Sequence, residues 1–230
     1  MYFFIINEKK TIYVVIWHTL HVILSHNFIN RKFMRILHLS DTHNRHHQLV
    51  NMSEADLIVH SGDISFAGSE DEAIDFIRWF SALPYKYKVF IAGNHDNCLH
   101  GANIDGLPEN CFYLCDSSIM IDGLKFYGVP MFMEDAISGN YDESIQKIPD
   151  DTDILITHQP PYGVLDNSAN IHYGDHNLLQ TVLDIRPRYH LFGHIHNVYG
   201  VEKGKNTIFS NASLVDEQYR LLNKPFLFDI

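Results

Sequence analysis

From residue 35 onward, short apolar runs alternate with polar breaks rich in glycine. Arg35 to Leu39, Asp56 to His60 and Lys88 to Ala92 read as buried strands, because each run is too short for a helix and is bounded by turn-forming residues. Between the last two, Ser69 to Leu83 carries the helical period. Ala73, Ile74, Phe76, Ile77, Phe80 and Leu83 share one broad face, Ser69 and Glu72 form a capping box, and Pro84 lies beyond the end. The acid run Ser69 to Asp75 suits the positive end of that helix better than it suits a binding patch. Ser118 to Ile121 and Leu124 to Gly128 flank Asp122-Gly123, a dipeptide suited to a tight hairpin. After a glycine- and acid-rich loop, Asp153 to Thr157 and Tyr189 to Phe192 read as strands. Leu178 to Ile185 reads as a helix stopped before Pro187, and Asn206 to Ser210 and Pro225 to Asp229 as closing strands. The alternation predicts a layered α/β domain.

Five polar segments follow hydrophobic runs: Asp41-Thr42-His43, Gly62-Asp63, Gly93-Asn94-His95-Asp96, Thr157-His158 and Gly193-His194-Ile195-His196. In layered α/β domains ligands collect beyond the carboxyl ends of strands, where distant loops converge. Asp, Asn and His supply the oxygen and nitrogen donors that two adjacent transition-metal ions need. Asp41 and His43, two residues apart, can reach one ion; His194 and His196 can do the same or turn toward neighbouring ions. Asp63 can bridge two cations, and Asn94 offers a neutral amide oxygen. Two divalent ions, two carboxylates and a bridging hydroxide leave a charge of about +1, which attracts a phosphate ester, and the ions bring the pKa of bound water toward ~7. His95, beside a ligand, is better used as a proton donor to the leaving oxygen or as a charge stabiliser, with Asp96 tuning or orienting it.

The remaining histidines divide by context. His38 and His60 lie inside strands and are expected to be hydrogen-bonded core residues. His46 and His47 follow the first motif in a loop, as solvated surface or substrate contacts. His100 is expected on a loop surface, and His172, His176 and His190 are expected to be structural or exposed. Asn211 is expected to brace the metal loops, the alternative being that it closes a turn.

With 230 residues, 46% of them hydrophobic, the chain can bury a core without disulfides or a structural metal. The net charge is −11. Glu8 against Lys9, Lys10, Arg31 and Lys32 makes residues 1 to 33 net +3, so the body carries −14. An acidic body argues against long nucleic acid as a partner, since such binding depends on Lys and Arg. Cys98, Cys111 and Cys115 are an odd number, which favours a reducing, cytoplasmic setting, and Cys111 and Cys115 are expected to be buried thiols.

Taken in series, the five motifs resemble the signature of calcineurin-like metallophosphoesterases, with every position filled and in order. The resemblance implies a four-layer α/β/β/α sandwich. It also implies a two-metal site in which Asp41, His43, Asp63 and His196 hold one ion and Asp63, Asn94, His158 and His194 the other, with His95 as acid or phosphate contact. Ser40-Asp41-Thr42-His43, Val59 to Ile64, Thr157 to Tyr162 and Asn211 to Leu214 are similar to the small metallophosphoesterase-domain phosphodiesterases, a likeness that extends to Ile230. That likeness implies hydrolysis of a small phosphodiester, with cyclic nucleotides among the candidates, by metal-bound hydroxide, and it favours manganese over iron or zinc. The alternatives are a phosphomonoesterase or nuclease on the same site, or a non-catalytic scaffold, which should have lost ligands.

Residues 1 to 33 stand apart from the metallophosphoesterase domain expected over 34 to 230. Thr11 to Leu24 is apolar but carries His18 and His21 and falls short of the ~20 residues a spanning helix needs. There is no clear small-residue cleavage site, and Met34-Arg35 runs straight into a strand. An extension preceding the natural start, a peripheral arm, and membrane association or export all stay open. So do the natural substrate and the oligomeric state.

Overall fold

The computed structural model describes residues 33–230; the readings of the leading segment lie outside the described residues. Arg35–Ile230 forms one compact unit. Its strands, numbered in chain order, make two large sheets. The first has the order β13-β1-β2-β3-β4, with β1 (Arg35–Leu39), β2 (Leu57–Ser61), β3 (Tyr87–Ile91) and β4 (Cys111–Tyr113) parallel and β13 (Phe226–Asp229) antiparallel at the edge. The second has the order β11-β12-β10-β7-β6-β5. It is built from β5 (Ser117–Ile121), β6 (Leu124–Val129), β7 (Ile154–Thr157), β10 (Tyr189–Phe192), β11 (Gly200–Lys203) and β12 (Ile208–Asn211). A small hairpin pairs β8 (Asn167–Ser168) with β9 (Ile171–His172).

Each sheet carries helices on its outer face. Helix α1 (Glu70–Ala82) begins with the capping box of Ser69 and Glu72. It buries Phe76 and Phe80 against Phe90 of β3, with ring centroids 5.9 and 5.7 Å away. Helices α2 (Met133–Ser138) and α3 (Asn140–Gln146) occupy the segment expected to be a loop. Their joint is Gly139, at φ +86°, a conformation that glycine adopts without a Cβ penalty. Helix α4 (His176–Ile185) starts two residues earlier than its apolar period suggests, because the Asp175 side chain accepts from the Leu178 amide. Tyr141, Ile145, Leu178 and Val182 pack on Tyr127, Leu155 and Phe192 of the second sheet.

The two sheets face each other. His38 of β1 reaches Ser210 of β12 at 2.9 Å, and a Cβ on Gly128 of β6 would lie 2.8 Å from Ile91 of β3. The order helix, sheet, sheet, helix is the four-layer sandwich. Strands β1, β2, β3, β7 and β10 therefore send their carboxyl ends into one region.

Candidate metal centre

The loops that leave these strands turn at once. Asp41, His43, Asp63 and His194 all have left-handed backbone, with φ of +54, +41, +57 and +72°. Asp and His tolerate that region better than most side chains do, and clustered strain of this kind marks functional loops. Gly193 makes room for the turn: a Cβ there would strike Asp41 Oδ2 and Ser40 Oγ.

All seven expected ligands come together. Asp41, His43, Asp63 and His196 offer atoms within 4.8 Å of one another, and Asp63, His158 and His194 do the same. Asn94 Oδ1 lies 3.0 Å from His158 Nε2. Asp63 Oδ2 stands between the halves, 3.5 Å from His43 Nε2 and 3.3 Å from His158 Nε2.

The ring nitrogens show what the cluster can hold. A carbonyl oxygen can only accept, so a ring nitrogen against one must carry the proton. His43 Nδ1 donates to Ser65 O (3.2 Å), His158 Nδ1 to Ser61 O (2.9 Å) and His196 Nδ1 to Asp216 O (3.1 Å). When these imidazoles are neutral, each Nε2 is a bare lone pair. Yet His43 Nε2 and His196 Nε2 are 3.2 Å apart, and His158 Nε2 faces Asn94 and Asp63 oxygens. Lone pairs and carboxylates converge and need cations between them, and the mixed oxygen and nitrogen donors fit divalent transition metals.

Without metal, protons do part of this work. Burial opposes charge on His158, but Asp63 outweighs it and lifts the imidazole to about 9. His196 also rises, because Asp41 overcomes burial. Burial pulls His43 and His194 down to about 4. Burial tends to raise both carboxylates, yet the hydrogen bond from His196 holds Asp41 low and the charge of His158 holds Asp63 low. Asp41 further accepts from the His194 amide and from Ser213 Oγ at 2.7 Å.

Asp96 departs from expectation. Among the described residues its carboxylate is not hydrogen-bonded to the His95 ring; buried, it accepts from the amides of Gly93 (2.8 Å), Ile64 (3.1 Å) and Ser65 (2.9 Å) and from Ser65 Oγ (2.7 Å). It thus ties the loop after β3 to the loop after β2. Burial and the charge of Asp63 raise it to about 6. The group that orients His95 is the Phe66 carbonyl, which accepts from Nδ1 at 2.8 Å and leaves Nε2 free.

His38 and His60 are buried and hydrogen-bonded, His38 to Ser210 and Ser61 and His60 to Thr42. Asn211 Nδ2 holds the Ile195 carbonyl at 2.9 Å, inside the loop of His194 and His196. His46 and His47 instead meet Asp75 of α1, at 3.2 and 2.9 Å, with His46 buried. His100 is exposed beside Glu134 and Asp135. Cys111 is buried, but Cys115 is exposed, because the chain turns there between β4 and β5. Sequence reasoning missed Tyr219, at φ +57°, whose ring lies 4.8 Å from that of His43. No motif marks it.

An α/β/β/α sandwich with two carboxylates, an amide and four imidazoles at its strand ends defines a metal-dependent phosphoesterase. A profile of the calcineurin-like phosphoesterase family matches residues 34–198, and the chain belongs to that family. It is 36% identical over 228 residues to the UPF0046 protein C25E10.12 of Caenorhabditis elegans, covering 86% of this chain and 81% of the relative. It is 32% identical to human metallophosphoesterase domain-containing protein 1, covering 86% and 71%. A crystal structure of TT1561 from Thermus thermophilus shares the fold, with TM-score 0.55, 15% identity and coverage of 86% of this chain and 99% of that one. Another solved chain matches with TM-score 0.61 at 14% identity, over 86% and 99%. No helix among the described residues is long and apolar enough to cross a membrane.

Proposed function

We propose that this chain is a phosphodiesterase that hydrolyses a small phosphodiester, with a cyclic nucleotide within its range. In this reading Asp41, His43, Asp63 and His196 hold one ion and Asp63, Asn94, His158 and His194 the other. Manganese is the ion we assign, ahead of iron and zinc, on the likeness to the small metallophosphoesterase-domain phosphodiesterases. The observation that carries the reading is the set of Nε2 atoms on His43, His158 and His196, each turned toward the carboxylates because a backbone carbonyl holds its Nδ1–H. When bound, the ions supply Lewis-acid stabilisation of phosphoryl charge and a nucleophile at neutral pH.

The chain's own residues do the rest. Asp63 fixes the two halves in one frame. His95, with Nδ1 committed to Phe66, has Nε2 as the atom that hands a proton to the leaving oxygen. Asp96 keeps the Gly93 to Asp96 turn in place. No Lys or Arg among the described residues is hydrogen-bonded or ion-paired to a candidate ligand, which favours the single negative charge of a diester over a monoester. The unpaired cysteines support a cytoplasmic setting.

The test is hydrolysis of bis-p-nitrophenyl phosphate and p-nitrophenyl phosphate by Mn²⁺-loaded and chelator-treated protein. The expected result is metal-dependent turnover with the diester faster. A rate ratio below one would favour the monoesterase, and no turnover of either ester would defeat the enzymatic reading.

A further inference from the structure

Two aromatic side chains stand at the centre without being part of the core. Core rings such as Phe76, Phe80 and Phe90 are fully buried, whereas Phe66 is 49% exposed and Tyr219 half-buried. The Tyr219 ring lies 4.8 Å from His43, 5.5 Å from His196 and 5.0 Å from Phe66, in each case nearly perpendicular, and 6.1 Å from His95. Two of these histidines are candidate ligands and the third is the candidate acid.

The backbone is strained to put Tyr219 there. A bulky residue at φ +57° is an outlier, and only an over-determined turn keeps it so. Asp216 provides that turn. Its carbonyl accepts from the Tyr219 amide at 2.8 Å, and its carboxylate accepts from the Gln218 and Arg220 amides and from Arg220 Nε at 2.7 Å. The same carbonyl orients His196. Phe66 repeats the design: its carbonyl orients His95 while its ring stays open to solvent. Each ring is thus placed by a segment that also sets a histidine of the site, so ring and site are registered to each other. The Tyr219 hydroxyl has no hydrogen-bond partner among the described residues, so ring packing, not a polar anchor, positions it.

An apolar surface held at fixed distance beside a strongly polar centre suits a ligand with both characters. We propose that Tyr219 and Phe66 form an aromatic wall that seats a planar ring carried by the phosphoester, making the substrate a phosphoester that bears an aryl or heteroaryl group. This specificity role rests on the phosphoesterase reading above. Stacking on one such wall is expected to favour a ring-bearing ligand by about tenfold.

The experiment measures binding of phenylphosphonate and methylphosphonate, which are not hydrolysed, to the Mn²⁺-loaded full chain by calorimetry. Wild type should bind the phenyl compound about tenfold more tightly. Phe66→Ala and Tyr219→Gly should each lower that preference with methylphosphonate affinity unchanged, and Tyr219→Phe should keep it. Glycine is chosen because it accepts the positive φ; if Tyr219→Gly still loses methylphosphonate binding, the half-exposed Phe66→Ala decides. Equal affinities in wild type, or a preference that survives loss of both rings, overturn the wall while leaving the phosphoesterase standing. Failure of wild type to bind either phosphonate also overturns the wall, while the ester assay above decides the phosphoesterase reading separately.

Discussion

His43 Nε2 and His196 Nε2 lie 3.2 Å apart, and each ring already donates its Nδ1–H to a backbone carbonyl. Two neutral imidazoles cannot rest in that geometry without a cation, so the metal-free protein must hold protons that an ion will displace. With His158 raised to about 9, metal binding at pH 7.5 should release about one proton or more, and affinity should climb with pH up to that value. Calorimetry in buffers of different ionisation enthalpy measures the release. Affinity that stays flat from pH 6 to 9 would contradict the arrangement.

Asp63 stands between the two clusters, whereas His194 belongs to one. Asp63→Ala should therefore strip metal from both halves, and His194→Ala from only one. His95→Ala should keep both ions and slow turnover by ~10²- to 10⁴-fold, the usual contribution of a general acid. Metal analysis alongside kinetics separates the roles; equal metal loss in His95→Ala and Asp63→Ala would refute them.

Much of this site is legible in the sequence because its donors are rare side chains placed just after strands. The pattern of apolar runs marks those strands, and Asp, Asn and His, each common singly in turns, point to one site because they recur in five such turns in series. What is not legible depends on chain closure. The Phe66 and Asp216 carbonyls that orient His95 and His196 carry no residue code, since any residue has a carbonyl. Tyr219 reaches the site through a turn with no motif. Asp96 sits beside His95 in sequence, but the tight Gly93 to Asp96 turn sends its carboxylate inward to the backbone amides. Strands β4 and β11 are short edge strands and give weak period-2 signals. Helices α2 and α3 are too short for their period to show.

Gly193→Ala tests the close approach of the last ligand loop to the first. The added methyl would occupy the space of Asp41 Oδ2 and Ser40 Oγ. Overpacking of this kind costs about 1–3 kcal/mol, and Asp41 would be pushed from the His194 amide that it accepts from. The expected result is a lower Tm together with weakened metal binding. A Tm drop with metal affinity intact would show that the loop relaxes away from the site.

Stability of the metal-free protein should peak near pH 6.5 and fall on both sides. His38, His60 and His190 are fully buried, and burial lowers each to about 3. Below pH 6.5 the unfolded chain binds protons that these folded imidazoles refuse, so stability falls with pH, by about 1.4 kcal/mol per histidine per pH unit, until the folded value is reached. His158 works in the opposite direction. Its folded value of about 9 lies above 6.5, so its contribution is complete below pH 6.5 and is lost as pH rises through 9. Chemical denaturation of chelated protein from pH 5 to 9 gives the curve. Bound metal replaces the His158 proton, so the alkaline slope should disappear in the Mn²⁺-loaded protein, while the part of the acid slope that comes from His38, His60 and His190, which lie outside the ligand set, remains.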